Sequence, residues 1–336
     1  MLQEVKFPNK HNQCASFCNS SGCRLQKDCA FGFNRIFMGA RELRIDFNQC
    51  NLKCVLCWSN NNDSNRIFSV DEIFQSFATC MESNYNYIYN IKKPDKPETF
   101  KLQSLQVIGG EPFLDKNRFK FVLSFLHKLD SYILENLDYC YSVLKVNAQK
   151  RFKVKLFTNG VTIGNGAIDV SDIKLLSDLK NINTELLISL KGLHENGFNA
   201  LQSDCFNAND CFEHQIICLE KLLNEYDKKK LHIQPVLGFY HSEHFNIETQ
   251  SIKASNMFVF DDTPLSKRLH DILKKYISKG YGFYVEPIHA VGKTNKDIQV
   301  FYKANTSLLN YFDLVEANLK SNRKTDYKKT KLKDLF

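Results

Sequence analysis

Cys50, Cys54 and Cys57 stand on one short stretch with the spacing C-x3-C-x2-C. As thiolates, each can hold one iron of a four-iron cubane and leave the fourth iron open to a small molecule. A structural zinc site would close with a fourth protein ligand instead. Three further groups follow: Gly109-Gly110-Glu111-Pro112, Thr158-Asn159-Gly160, and Ser189-Leu190-Lys191-Gly192. Paired glycines let backbone amides and carbonyls approach a ligand closely, and Glu111 adds a carboxylate. Taken singly, each group is also an ordinary turn or a polar strand end. Upstream, Cys14, Cys18, Cys23 and Cys29 are spaced x3, x4 and x5. Four thiols so placed admit an auxiliary iron–sulfur cluster, a zinc site or an unmetallated leader, and the neighbouring cysteine loop favours the first.

To act together, these groups must lie at the ends of strands. From Arg41 the chain alternates strand and helix patterns, which predicts an α/β fold with a parallel sheet. Strands are expected over Glu42–Phe47, Leu102–Ile108, Lys153–Phe157, Glu185–Leu190, His232–Leu237 and Gly282–Pro287. Ser69 with Glu72 forms a capping-box signature, and Ile73, Phe74, Phe77 and Met81 recur at helical spacing behind it. Further helices are expected over Asn117–Leu129 with a continuation through Val143, Ser171–Leu179 with Ser171 as cap, Cys211–Asn224, and Pro264–Ile277. Two stretches, Tyr85–Phe100 and Phe239–Asp262, interrupt the alternation and read as loops long enough to be lids or binding surfaces. Cys205, Cys211 and Cys218 read as buried thiols, since two of them fall in a predicted helix.

The C-x3-C-x2-C loop, the GGEP strand end, TNG and SLKG occur in the order found in the radical S-adenosylmethionine (SAM) superfamily, which the chain resembles from about Arg41 to His289. That resemblance implies a partial (β/α)6, TIM-like barrel over 41–290, behind a Cys-rich leader at 1–40 and before an extension at 291–336 that ends in a basic tail. It implies that Cys50, Cys54 and Cys57 ligate a [4Fe–4S] cluster and that SAM chelates the open iron. Gly109, Gly110 and Glu111 would bind the SAM amino group. Thr158, Asn159, Ser189 and Lys191 would lie beside its ribose and carboxylate. Val236, Leu237 and Gly238 are a looser match to an adenine contact, and Glu286 and His289 are strand-end polars that can face a substrate. The chain departs from the family at Leu56, where an aromatic usually packs on adenine; here the aromatic follows the third cysteine, as Trp58. The chemistry implied is reductive cleavage of SAM to a 5′-deoxyadenosyl radical that abstracts hydrogen from a substrate. A flavodoxin or ferredoxin would donate the electron. Within the superfamily the chain is similar to stand-alone proteins related to the pyruvate formate-lyase activating and molybdopterin-synthesis branches, a likeness that specifies no substrate.

Composition bounds the setting. The first residues lack an apolar signal region and no run approaches a membrane span, so a reducing, cytoplasmic location without membrane partners is expected. Seven of the 12 cysteines fall between Cys14 and Cys57, a crowding better read as metal ligation than as disulfides. Net charge is +8, with Lys320, Arg323, Lys324, Lys328, Lys329, Lys331 and Lys333 set against Asp326 near the C-terminus. Such a run is either a solvated tail or a surface for RNA, DNA or an acidic protein. The open alternatives are an RNA-modifying enzyme, a glycyl-radical activase, a small-molecule enzyme of the pterin kind, or a non-catalytic iron–sulfur or nucleic-acid-binding protein.

Overall fold

The computed structural model describes residues 23–24, 42–47, 50–52, 54, 69–200, 208–226, 230–237, 261–279, 282–283 and 286–287. In chain order the elements begin with β1 (Cys23–Arg24), β2 (Glu42–Phe47), α1 (Val70–Asn86), β3 (Ser104–Gly109), α2 (Lys116–Glu135) and α3 (Leu137–Val143). There follow β4 (Phe152–Thr158), α4 (Val161–Gly164), α5 (Val170–Lys174), β5 (Ile182–Leu190), α6 (Glu195–Ala200) and α7 (Ala208–Glu225). The last are β6 (Leu231–Leu237), α8 (Pro264–Ser278), β7 (Gly282–Phe283) and β8 (Glu286–Pro287). The architecture is α/β with parallel strand pairing, as the alternation predicts. The chain divides into two compact units. One comprises Met1–Cys50, Ser59–Thr158 and Ile168–Leu186, and the other Asn51–Trp58, Asn159–Ala167 and Leu187–Phe336.

In the first unit β2, β3 and β4 pair in parallel, with Leu43 opposite Leu105 and Ile45 opposite Val107, then Leu105 opposite Val154 and Val107 opposite Leu156. The side-chain period of two puts all of these on one buried face. Helices α1 and α2 cover that face: the Phe77 ring lies 6.3 Å from Phe152 and 6.4 Å from Phe125, and Phe121 lies 6.3 Å from Phe47. The predicted box opens α1, with Glu72 N donating to Ser69 Oγ at 3.2 Å and Ser69 N donating to Glu72 Oε2 at 2.8 Å. Asp115 caps α2 by accepting from Arg118 N at 2.8 Å.

The other face of this sheet is polar. Glu42 Oε1 accepts from Ser104 Oγ and Lys155 Nζ, each at 2.6 Å, and its Oε2 accepts from Gln106 Nε2 at 2.5 Å. Burial pushes the Glu42 carboxyl up, but the bonds from Lys155 and Ser104 outweigh it and leave the carboxyl below its ordinary value. A lowered folded-state pKa contributes stability above the unfolded value, and that contribution is lost as pH falls through the folded one. Glu42→Gln is therefore expected to flatten the acid limb of the stability curve below about pH 4.3 and to lower stability at pH 7, where Lys155 loses its partner. Urea unfolding at a series of pH values checks this; an acid limb unchanged from the parent would contradict it.

In the second unit β6 pairs in parallel with β7 (Ile233 opposite Phe283) and with β8 (Val236 opposite Glu286). The single strand expected over Gly282–Pro287 is thus two short ones. Helices α7 and α8 bury Phe212, Ile216, Leu219, Leu269 and Leu273. They are joined by Tyr276 Oη donating to Leu219 O at 2.5 Å and by Arg268 bonding both Glu220 oxygens, at 2.8 and 2.5 Å.

Three expectations need correction. Asp169, not Ser171, caps α5, because Asp172 sits at the reciprocal position and closes a capping box with it. That helix is also shorter than Ser171–Leu179, ending as α5 followed by a 3-10 turn over Leu175–Ser177. Tyr85–Phe100 is not a free loop: α1 runs on through a π-helical turn over Tyr87–Lys92, because Tyr87 and Ile88 extend its buried face. Nearly all of Phe239–Asp262 (only Asp261 and Asp262 excepted), the leader apart from Cys23–Arg24, and the basic tail lie outside the described residues.

Candidate functional site

In the first unit the chain leaves β3 through Gly109, whose φ of 106° is open to glycine and costly for any side chain. Gly110 N donates back to Phe47 O at 2.5 Å, which ties this turn to the end of β2. Glu111 is only 1% exposed. Its Oε1 accepts from Phe113 N at 2.9 Å, and its carbonyl accepts from Arg118 Nη1 at 3.3 Å. Arg118 is itself buried, with its guanidinium 5.5 Å from the centroid of the Phe47 ring. A turn that merely solvated its carboxylate would leave Glu111 in water. Here a carboxyl group is held out of solvent, which is costly unless it has partners. Thr158 ends β4 and is buried.

In the second unit five polar residues are joined. Asn159 is buried; its Oδ1 accepts from Val161 N at 3.0 Å and its Nδ2 donates to Asn51 Oδ1 at 2.7 Å. Asn51 belongs to the loop of the cysteine motif. Gly160 follows with φ 78°, and a Cβ there would meet Cys218 Sγ at 2.8 Å. Gln215, fully buried on α7, donates Nε2 to Asn159 O at 2.6 Å and to Ser189 O at 3.1 Å, and accepts from Lys191 N at 3.4 Å. The alternation expected along β5 holds, with Ile188 and Leu190 buried and Ser189 and Lys191 half-buried.

Cys50 and Cys54 are half-buried and free of disulfides. Cysteine thiolates are the donors an iron–sulfur cluster takes, so the described part of the motif fits that group by the chemistry of its donor set. Cys57, Leu56 and Trp58 lie outside the described residues, as do Cys14, Cys18, Cys29, Cys205, Gly238 and His289. Of the leader's cysteines only the backbone of Cys23 is described, paired antiparallel with Phe47. Among the described residues no three His, Cys, Asp or Glu side chains gather as a metal site. Cys218 is fully buried, as expected, whereas Cys211 is half-buried.

Gln215 and the Asn51–Asn159 bond were not singled out from sequence. Nor was His194, which is 5% exposed with Nδ1 3.5 Å from Asp261 Oδ2. Burial raises the Asp261 carboxyl, but the Thr263 hydroxyl and amide, with His194, hold it below the ordinary value. Ser266 Oγ accepts from Asp261 N at 3.0 Å and donates to Leu193 O at 2.9 Å, fastening the start of α8 to the chain just after β5. No described helix is long and apolar enough to cross a membrane. Compared with known proteins, the chain matches no family model and no curated protein.

Proposed function

We propose that the chain is a radical SAM enzyme built on a partial (β/α)6 barrel. The observation that carries this reading is the 2.7 Å bond from Asn159, at the end of β4, to Asn51 in the cysteine loop. Two motifs separated by over a hundred residues, and assigned to one ligand by the resemblance, share a hydrogen bond in one compact unit. The buried Glu111 carboxylate at the end of β3 supports the reading independently, because a group placed to bind an ammonium is better shielded from water. Helices on the apolar face of β2, β3 and β4, with polar side chains on the other, support the barrel, whose interior faces away from its helices.

In this reading Cys50, Cys54 and Cys57 hold a [4Fe–4S] cluster. The chemistry such a cluster would supply when bound is a single electron for the reductive cleavage of SAM. The chain's own residues bind and orient. Gly109, Gly110 and Glu111 take the amino group; Thr158, Asn159, Ser189 and Lys191 take the ribose and carboxylate; Leu56 packs on adenine. Fixing SAM in one pose is where such a protein contributes most to rate, since the reacting atoms must be aligned before the bond breaks. A flavodoxin or ferredoxin serves as electron donor, and the cytoplasm is the setting. The test is anaerobic reconstitution with iron and sulfide, followed by SAM and a strong reductant. Release of 5′-deoxyadenosine is expected; its absence from protein that holds four irons would overturn the proposal.

A further inference from the structure

We propose that Gln215 is a positioning residue, whose one side-chain amide sets the ends of β4 and β5 in register with the cysteine loop. This rests on the radical SAM reading and adds to it a residue outside every motif that carries the resemblance. A primary amide has two donor hydrogens and an acceptor oxygen. In Gln215 Nε2 serves two carbonyls, Asn159 O just past β4 and Ser189 O near the end of β5, while Oε1 takes Lys191 N. Strands that give way to loops leave carbonyls without ladder partners, and buried carbonyls need donors. A carboxylate here would set oxygen against two carbonyl oxygens; an apolar side chain would leave backbone groups unpaired.

The chain of bonds extends further. Asn159, held at its carbonyl by Gln215, reaches Asn51 through its own side chain at 2.7 Å. The ends of two strands and the cysteine loop are thereby tied to one buried residue. Helix α7 cannot easily retreat from that position. Lys221, further along the same helix, donates Nζ to Ile163 O and Gly164 O at 3.1 Å each, and Gly164 packs directly on the backbone of His214.

The test uses the full chain with Gln215→Met, which keeps volume and removes the amide, and Ile216→Val as a control on the same buried helix. Two quantities are read: amide hydrogen exchange at residues 51–54, 159–161 and 189–191 in metal-free protein, and SAM affinity of the reconstituted protein by titration. Gln215→Met is expected to speed exchange and weaken SAM binding by about tenfold, the scale of one lost buried hydrogen bond. Ile216→Val should leave both within about twofold of the parent. If Gln215→Met does not fold, Asn51→Ala breaks the same chain at its half-buried end and is expected to weaken SAM binding in the same direction. Parent-like exchange and affinity in these variants, or an equal loss in Ile216→Val, would overturn the role of Gln215 alone. A parent protein that holds its cluster but binds no SAM would overturn this role and the radical SAM reading together.

Discussion

Replacing Cys54 with alanine is expected to give a folded chain that holds no four-iron cluster and releases no 5′-deoxyadenosine from SAM. Cys54 is half-buried, and its side chain is not among those filling the core, so the substitution removes a donor without opening a large cavity. Three thiolates are the minimum that holds a cubane with one open iron; two leave a second iron without a protein anchor. Loss of an outer-shell partner alone typically costs 10- to 100-fold in metal affinity, so loss of a direct ligand costs about 100-fold or more. Iron after reconstitution and desalting should fall from about four per chain to below about one, with the circular dichroism of the parent retained. A Cys54→Ala protein that still cleaved SAM would end the radical SAM reading.

Gly164→Ala is expected to have the largest effect on stability. A Cβ at this position would lie 1.8 Å from His214 O, 2.5 Å from His214 C and 2.8 Å from its Cα. All three are backbone atoms of α7, so no side-chain rotation relieves the clash; α4 and α7 must separate. Overpacking against movable side chains costs about 1–3 kcal/mol. A rigid backbone neighbour raises the expected loss to about 3 kcal/mol or more. For a chain of 336 residues unfolding as one unit that lowers the thermal midpoint by about 4 °C or more. Separation would also disturb the two bonds from Lys221 and the seat of Gln215, so SAM affinity should fall with stability. A midpoint within about 2 °C of the parent would show that α7 is not held against α4 as described.

The sheet was readable because its chemistry repeats locally. Leu43, Ile45 and Phe47 alternate with Glu42 and Arg44, and the strand runs over the residues that this alternation marks. The Ser69–Glu72 box announced α1, and the helical pattern over Cys211–Asn224 announced α7. What escaped depends on distant partners. Helix α4 spans Val161–Gly164, too short to show a period, and exists because Gly164 can lie against His214. Tyr85–Phe100 carries Pro and Tyr signals that suggest a loop, yet burial of Ile88 draws its first part into helix. At the site, Glu111 stood out because its neighbours are glycines. Gln215 did not, since glutamine is an ordinary helix former. Its meaning comes from carbonyls 56 and 26 residues away in the chain.

The most direct test of the central claim is a count of iron and acid-labile sulfide in protein reconstituted without oxygen. About four of each per chain are expected if Cys50, Cys54 and Cys57 hold the cluster alone, and about eight if Cys14, Cys18, Cys23 and Cys29 hold a second. With SAM and reductant, the same sample should yield 5′-deoxyadenosine. Protein that is folded yet retains neither iron nor sulfide, or that binds zinc in their place, would contradict the claim.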